Sequence, residues 1–250
     1  EETLAAFYYN DGKKEWQKLK GELNTEQDTV TVTTNHFSKY TLMADKPQDS
    51  TAVVEPEPEK PLPQIKFNDL NGHWAEADIY KMVEMGLVKG VSVTEFAPQK
   101  NISRAEFVTL LSRAVGLQPG TLHKGRFYDV PADQWYFNIV NTAADAGLVS
   151  GYTATTFAPQ DPVTREQMAV MIKRALAYKG KDVEPTTEVV TASLARFTDQ
   201  NVISPWAKTS VAAAVQQNIV SGRDNGLFAP TANATRAEGA VMILRMYSQM

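Results

Sequence analysis

The chain has 250 residues, 43% of them hydrophobic and 22% charged, enough to bury a core and to form one or two domains. Its net charge of −4 comes entirely from residues 1–66, which carry 8 Lys or Arg against 12 Asp or Glu, whereas residues 67–250 carry 17 of each. That balance offers no basic face for nucleic acid, the lack of cysteine excludes disulfides and thiolate metal sites, and no apolar run reaches the roughly 18 residues that a bilayer span requires.

The sequence starts with neither Met nor a signal peptide, so Glu1 reads as a cut inside a longer protein. Residues 1–45 read as β structure. Phe7-Tyr8-Tyr9, the pair Asp11-Gly12 and Trp16-Gln17-Lys18-Leu19 have a hairpin arrangement, because Asp-Gly tolerates the positive φ of a tight primed turn. Residues 29–34 alternate Thr with Val, and Tyr40-Thr41-Leu42-Met43 supplies another short strand. Three or four strands are few for an independent core. The segment is therefore either the end of a β-sandwich begun upstream or a small self-sufficient meander. Residues 46–66, with Glu55-Pro56-Glu57-Pro58-Glu59, alternate proline and charge, which blocks helix and sheet alike and makes a solvated linker.

From residue 67 onward one unit recurs three times, over 67–125, 126–195 and 196–250. Each copy opens with an aromatic and an aspartate (Phe67/Asp69, Phe127/Asp129, Phe197/Asp199) and then a tryptophan (Trp74, Trp135, Trp206). Apolar residues at three- and four-residue spacing predict a helix over 75–85, 136–146 and 207–218. Each helix closes on Gly86, Gly147 or Asn218, residue types suited to a left-handed cap. The glycines Gly90, Gly151 and Gly222 follow, then Phe-Ala-Pro (Phe96, Phe157 and Phe228 leading), then a second helix headed by Arg104, Arg165 or Arg236. The arginines are 61 and 71 residues apart. The ten extra residues fit a surface insertion in 179–195, where Gly180, Pro185 and a run of Thr and Val replace helical patterning, so six helices are expected in all.

Ser103 with Glu106, Thr164 with Gln167 and Thr235 with Glu238 each satisfy the S/T-x-x-E/Q capping box, and as a helix start they require no other role. The arginine beside each cap is different, since a cation in the first helical turn faces the positive end of the macrodipole. Two readings follow. Each arginine, together with the helix N-terminus, binds a carboxylate or other anion; or it pairs with Asp69, Asp129 or Asp199 of a neighbouring repeat. Each tryptophan similarly either anchors the core or forms a platform for a sugar ring.

The order Phe-x-Asp, Trp, Gly-Leu-Val-x-Gly, Phe-x-Pro and Thr-Arg-Ala-Glu, three times over about three quarters of the chain, resembles the S-layer homology (SLH) domain triplet of bacterial cell-surface proteins. The resemblance implies a mainly α, pseudo-threefold bundle of helix-loop-helix repeats with grooves between them. It implies a place in the cell wall or S-layer and non-covalent attachment to pyruvylated secondary cell-wall polymer or another peptidoglycan-linked polysaccharide, with lateral self-association left to upstream domains. By the same resemblance Arg104, Arg165 and Arg236 would hold the ketal carboxylate. Trp74, Trp135, Trp206, Asp69, Asp129, Asp199, Gly90, Gly151 and Gly222 would shape the grooves.

Two departures predict unequal grooves. Glu166 stands where the other copies have Ala105 and Ala237 and could repel an anion, and Arg223-Asp224 replaces Val91-Ser92 and Tyr152-Thr153. No enzyme signature is present. His36, His73 and His123 lack metal-ligand spacing, no G-x-S-x-G, phosphate loop or dinucleotide fingerprint occurs, and Asp224-Asn225-Gly226 hints at a calcium loop without the rest of its ligands. Neither metal nor cofactor is expected. The rival to a carbohydrate anchor is a helical-repeat module that docks another protein and uses its arginines internally. Replacing all three arginines by alanine should spare the fold under the first reading and destabilise it under the second.

Overall fold

The computed structural model describes residues 3–10, 15–19, 21–24, 29–32, 40–45, 66–120 and 125–250. The chain divides into two compact units, residues 1–62 and 63–250. Apart from Lys66, the predicted linker lies outside the described residues.

The first unit is antiparallel β. Strands β1 (Thr3–Asn10), β2 (Glu15–Lys18) and β5 (Tyr40–Asp45) form a sheet in the order β2-β1-β5, while β3 (Gly21–Asn24) pairs with β4 (Thr29–Val32). Five strands thus stand among the described residues where three or four were expected. The expected hairpin of β1 and β2 is present and pairs Asn10 with Glu15, while the Asp11-Gly12 pair of its connection lies outside the described residues. Ala5 and Ala6 are buried, and Tyr9 meets Trp16 edge-on at 5.3 Å.

The second unit is helical: α1 (Glu76–Glu84), α2 (Arg104–Ala114), α3 (Phe137–Asp145), α4 (Arg165–Tyr178), α5 (Thr187–Leu194), α6 (Lys208–Gln216) and α7 (Arg236–Tyr247). The paired helices of the repeats are α1/α2, α3/α4 and α6/α7. The seventh helix, α5, lies in the insertion, where loop was expected. Thr186 caps it by accepting from Val189 N, and Leu194 is buried in the core, so a cap and an apolar contact outweigh the low helix propensity of Thr and Val. Helices α1, α3 and α6 end as the sequence predicts. Gly86, Gly147 and Asn218 take φ of 69°, 75° and 58°, and the next amide reaches back to Met82, Ala143 or Ala214, the Schellman pattern.

The second helices start with complete capping boxes at Ser103, Thr164 and Thr235. Just before each cap the three repeats meet around a pseudo-threefold axis. There Ile102 N donates to Ala234 O (3.0 Å), Ala234 N to Val163 O (2.9 Å) and Val163 N to Ile102 O (3.0 Å), closing a ring through three fully buried residues. Around this ring the aromatic pairs Phe67/Phe96, Phe127/Phe157 and Phe197/Phe228 pack at 5.8, 5.3 and 5.5 Å and join one continuous core.

Candidate functional site

The Phe-Ala-Pro turns carry an alanine in the left-handed region, with φ of 59° at Ala97, 58° at Ala158 and 56° at Ala229. A side chain disfavours that conformation, so something must hold it. The repeated aspartate does. Asp69 accepts from Phe96 N (3.0 Å) and Ala97 N (2.7 Å), Asp129 from Phe157 N (2.9 Å) and Ala158 N (2.6 Å), and Asp199 from Phe228 N (2.8 Å) and Ala229 N (2.7 Å). Desolvation pushes the Asp69 pKa up, but the two backbone donors outweigh it and hold the carboxyl below its ordinary value.

With the turns fixed, their carbonyls point at the preceding repeat. Arg104 N donates to Asp161 O and Ala105 N to Pro159 O; Arg165 N to Ala232 O and Glu166 N to Pro230 O; Arg236 N to Lys100 O and Ala237 N to Pro98 O, all at 2.8–3.1 Å. The third amide of each helix goes to its own Ser or Thr cap. The helix starts are therefore consumed by the fold, and the anion site expected at the helix N-terminus is closed.

The arginines serve the same joint. Arg104 Nε donates to Phe157 O (2.9 Å), Arg165 Nε to Phe228 O (2.7 Å) and Arg236 Nε to Phe96 O (3.0 Å). Each reaches the next repeat, the third returning to the first, and each stacks over the phenylalanine whose carbonyl it takes, at 4.7, 5.3 and 4.8 Å. Only 3%, 5% and 8% of the three residues is exposed. Their partners are not the aspartates: among the described residues no aspartate oxygen lies within 4.0 Å of the three guanidinium groups, because those carboxylates hold the turns. Burial lowers the pKa of all three, with Tyr152 and Asp161 offsetting it at Arg104, Glu238 at Arg165 and Glu106 at Arg236. A fold-neutral triple alanine substitution, expected for arginines that only bind ligand, does not fit groups this buried and bonded.

The tryptophans invert the expectation in the opposite direction. Trp74, Trp135 and Trp206 are 61%, 63% and 58% exposed, so none anchors the core. A cavity of about 690 Å³ shows what Trp74 borders. It brings together Arg165 of the second repeat, Gly222, Arg223, Glu238 and Arg245 of the third, and Trp74 and Gln99 of the first. A related cleft sets Trp135 and Gln160 of the second repeat against Ser103 and Glu106 of the first. Both are thus assembled across repeats, and the first unites the predicted Arg165, Gly222 and Trp74, whereas the aspartates lie outside that lining. Gly90 and Gly151 are there for close approach: a Cβ would come within 2.4 Å of Ser92 O or Thr156 O and within 2.4 or 2.7 Å of the Phe67 or Phe127 ring.

Glu166 does not face the arginine. It is 4% exposed and accepts from Ser204 N (3.0 Å) and Ser204 Oγ (2.9 Å), pinning the segment that leads into Trp206. The sequence reading missed Gln99, Gln160 and Arg245. Arg245 does have counterparts at Arg113 and Arg174, each nine residues beyond a repeated arginine, a recurrence that could have marked it. No group of three or more His, Asp or Glu among the described residues is placed to hold a metal ion.

The S-layer homology domain model matches this chain three times, at residues 66–108, 126–169 and 196–240. The chain belongs to the S-layer homology domain family. SLH domains are anchoring modules of cell-surface and cell-wall-associated proteins, and no helix among the described residues is long and apolar enough to cross a membrane. Similar proteins include an amylopullulanase of Thermoanaerobacterium thermosulfurigenes, 32% identical over 96% of this chain and 12% of that protein. The exoglucanase XynX of Acetivibrio thermocellus and the surface-layer 125 kDa protein of Lysinibacillus sphaericus are each 32% identical over 72% of this chain, covering 16% and 14% of those proteins. The SLH region is thus a small part of each relative, and it is shared between proteins named as enzymes and a protein named for the surface layer.

Proposed function

We propose that the SLH unit fastens a larger surface protein to the bacterial cell wall by seating a carboxylate-bearing sugar of a pyruvylated secondary wall polymer in its inter-repeat grooves. The observation that carries this reading is the placement of Trp74, Trp135 and Trp206. Three equivalent indoles held mostly in water contribute little to the core, and each offers a flat apolar face on which a sugar ring can lie. In the Arg165 groove Trp74 borders the same cavity as three arginines. There the ring would stack on the indole while its carboxylate meets guanidinium nitrogens that the carbonyl bonds do not use. Gly222 lines the same cavity, Gly90 and Gly151 serve the ligand indirectly by letting their loops close on the Phe67 and Phe127 rings, and Asp69, Asp129 and Asp199 by fixing the turns.

The test is calorimetric titration of the fragment with purified wall polymer before and after chemical removal of its pyruvate. Binding lost with the pyruvate supports carboxylate recognition. Binding that survives moves recognition to the tryptophans and the sugar hydroxyls. A second reading, docking of another protein, draws on the arginines being used inside the bundle; failure to bind either form of the polymer would favour it.

A further inference from the structure

The three arginine positions share a plan but differ in charge. The third residue of each capping-box helix faces the arginine of the preceding repeat. For Arg104 that residue is Gln167, whose Oε1 accepts from Nη1 at 3.3 Å. For Arg165 it is Glu238, whose Oε1 lies 2.9 Å from Nη1 and also accepts from Arg223 Nε at 2.8 Å. For Arg236 it is Glu106, with Oε1 3.7 Å from Nη1 and 3.8 Å from Lys100 Nζ. Among the described residues no carboxylate oxygen comes within 4.0 Å of Arg104, which instead lies under the Tyr152 ring at 4.4 Å.

The cations that offset the two glutamates stand at the rim. The Arg223 side chain is 38% exposed against 11% for its partner Glu238, and that of Lys100 58% against 25% for Glu106, so water and salt screen the rim cations more than the inner carboxylates. A ligand carboxylate arriving at Arg165 meets a guanidinium already bound to a carboxylate and must approach that like charge. Arriving at Arg104, it meets one whose side-chain partner is a neutral amide. The helix start is indifferent to the choice. Thr164 N donates to Gln167 Oε1 (3.2 Å) just as Thr235 N donates to Glu238 Oε2 (2.9 Å) and Ser103 N to Glu106 Oε2 (2.8 Å).

We propose that this capping-box residue sets the affinity of each position for an anionic sugar: Gln167 leaves Arg104 the first to take a carboxylate, and Glu238 competes with the ligand for the guanidinium of Arg165, so that the Arg165 groove fills later. The inference rests on the reading that the grooves take a carboxylate-bearing wall sugar, and it adds which groove does so and why.

The experiment titrates the fragment with the methyl glycoside of N-acetylmannosamine bearing a pyruvate ketal, and with the same glycoside lacking the ketal. Gln167→Glu is expected to weaken the tightest site at least tenfold, and Glu238→Gln to add or tighten a second site. Thermal melts check the fold, and Glu238→Gln carries the test alone should Gln167→Glu misfold, since a Gln capping box already exists at Thr164. Unchanged affinity and stoichiometry in both variants, with binding still dependent on the ketal, would overturn the inference and leave the anchoring reading intact. Equal binding of both glycosides, or binding of neither by any form of the fragment, would remove the carboxylate reading itself and this inference with it.

Discussion

Truncating Arg104 should damage the fold before any ligand is considered. Arg104→Ala removes the donors to Phe157 O and Ser150 O and the stacking on the Phe157 ring. A buried acceptor left unsatisfied costs about 1–3 kcal/mol, and the lost cation–π contact adds about 0.5–2 kcal/mol. Relief from burying a cation returns part of that, leaving a net loss of about 3–5 kcal/mol. For a unit of this size each kcal/mol moves Tm by about 2–4 °C, so the melt should fall by roughly 6–20 °C. Calorimetric and circular-dichroism melts of the fragment without ligand measure it. Arg104→Lys should lie between wild type and alanine, because a point charge cannot hold both carbonyls that the fork spans. A Tm within about 2 °C of wild type for the alanine variant would refute the reasoning and restore the arginine to a purely ligand-facing role. Loss of polymer binding in an arginine variant is therefore interpretable only beside its melt.

The tryptophans should behave oppositely. Trp74→Ala, Trp135→Ala and Trp206→Ala together should cost less than about 1–2 kcal/mol of stability, as expected for exposed residues, yet reduce polymer affinity at least tenfold in titration. Gly151→Ala should lower stability by about 1–3 kcal/mol through overpacking against Thr156 O and Phe127, read from denaturant midpoints without ligand. Acid should loosen the helical unit. Asp69 is held below its ordinary value as described, and at Glu238 desolvation is outweighed by Arg223, the Thr235 amide and Arg165. Both carboxyls bind protons more weakly folded than unfolded, so their stabilisation is complete above the ordinary carboxylate range near pH ~4 and is lost as pH falls through the lower folded values. Melts from pH 6 downward should show it, and Glu238→Gln should flatten the slope.

Local rules made much of this legible. The capping boxes, the left-handed helix ends and the threefold repeat are written in side chains that act on their own neighbours, so a single sequence exposes them. What it hides is the destination of groups that act across repeats. Arg104 looks misplaced on its helix because its acceptor is 53 residues away, and Asp129 looks free to pair with an arginine because the turn it holds is 28 residues distant. Trp74 carries the sequence mark of a core anchor. It stands exposed at the border of a cavity shared with the second and third repeats, which no local pattern encodes. The helix α5 escaped because its Thr and Val are poor helix formers, while the cap at Thr186 and the burial of Leu194 favour it.

The ring around Ile102, Val163 and Ala234 makes three a closure condition and not a chosen length. In a stacked solenoid repeats can be added or lost, and the outermost ones need specialised surfaces. Here every repeat has two neighbours and none is outermost. A fourth copy would have no open edge to join, and deletion of one would strand the amides and carbonyls of both survivors. Variation among such units should accordingly appear within grooves and in insertions such as the one containing α5, with the number of repeats held constant.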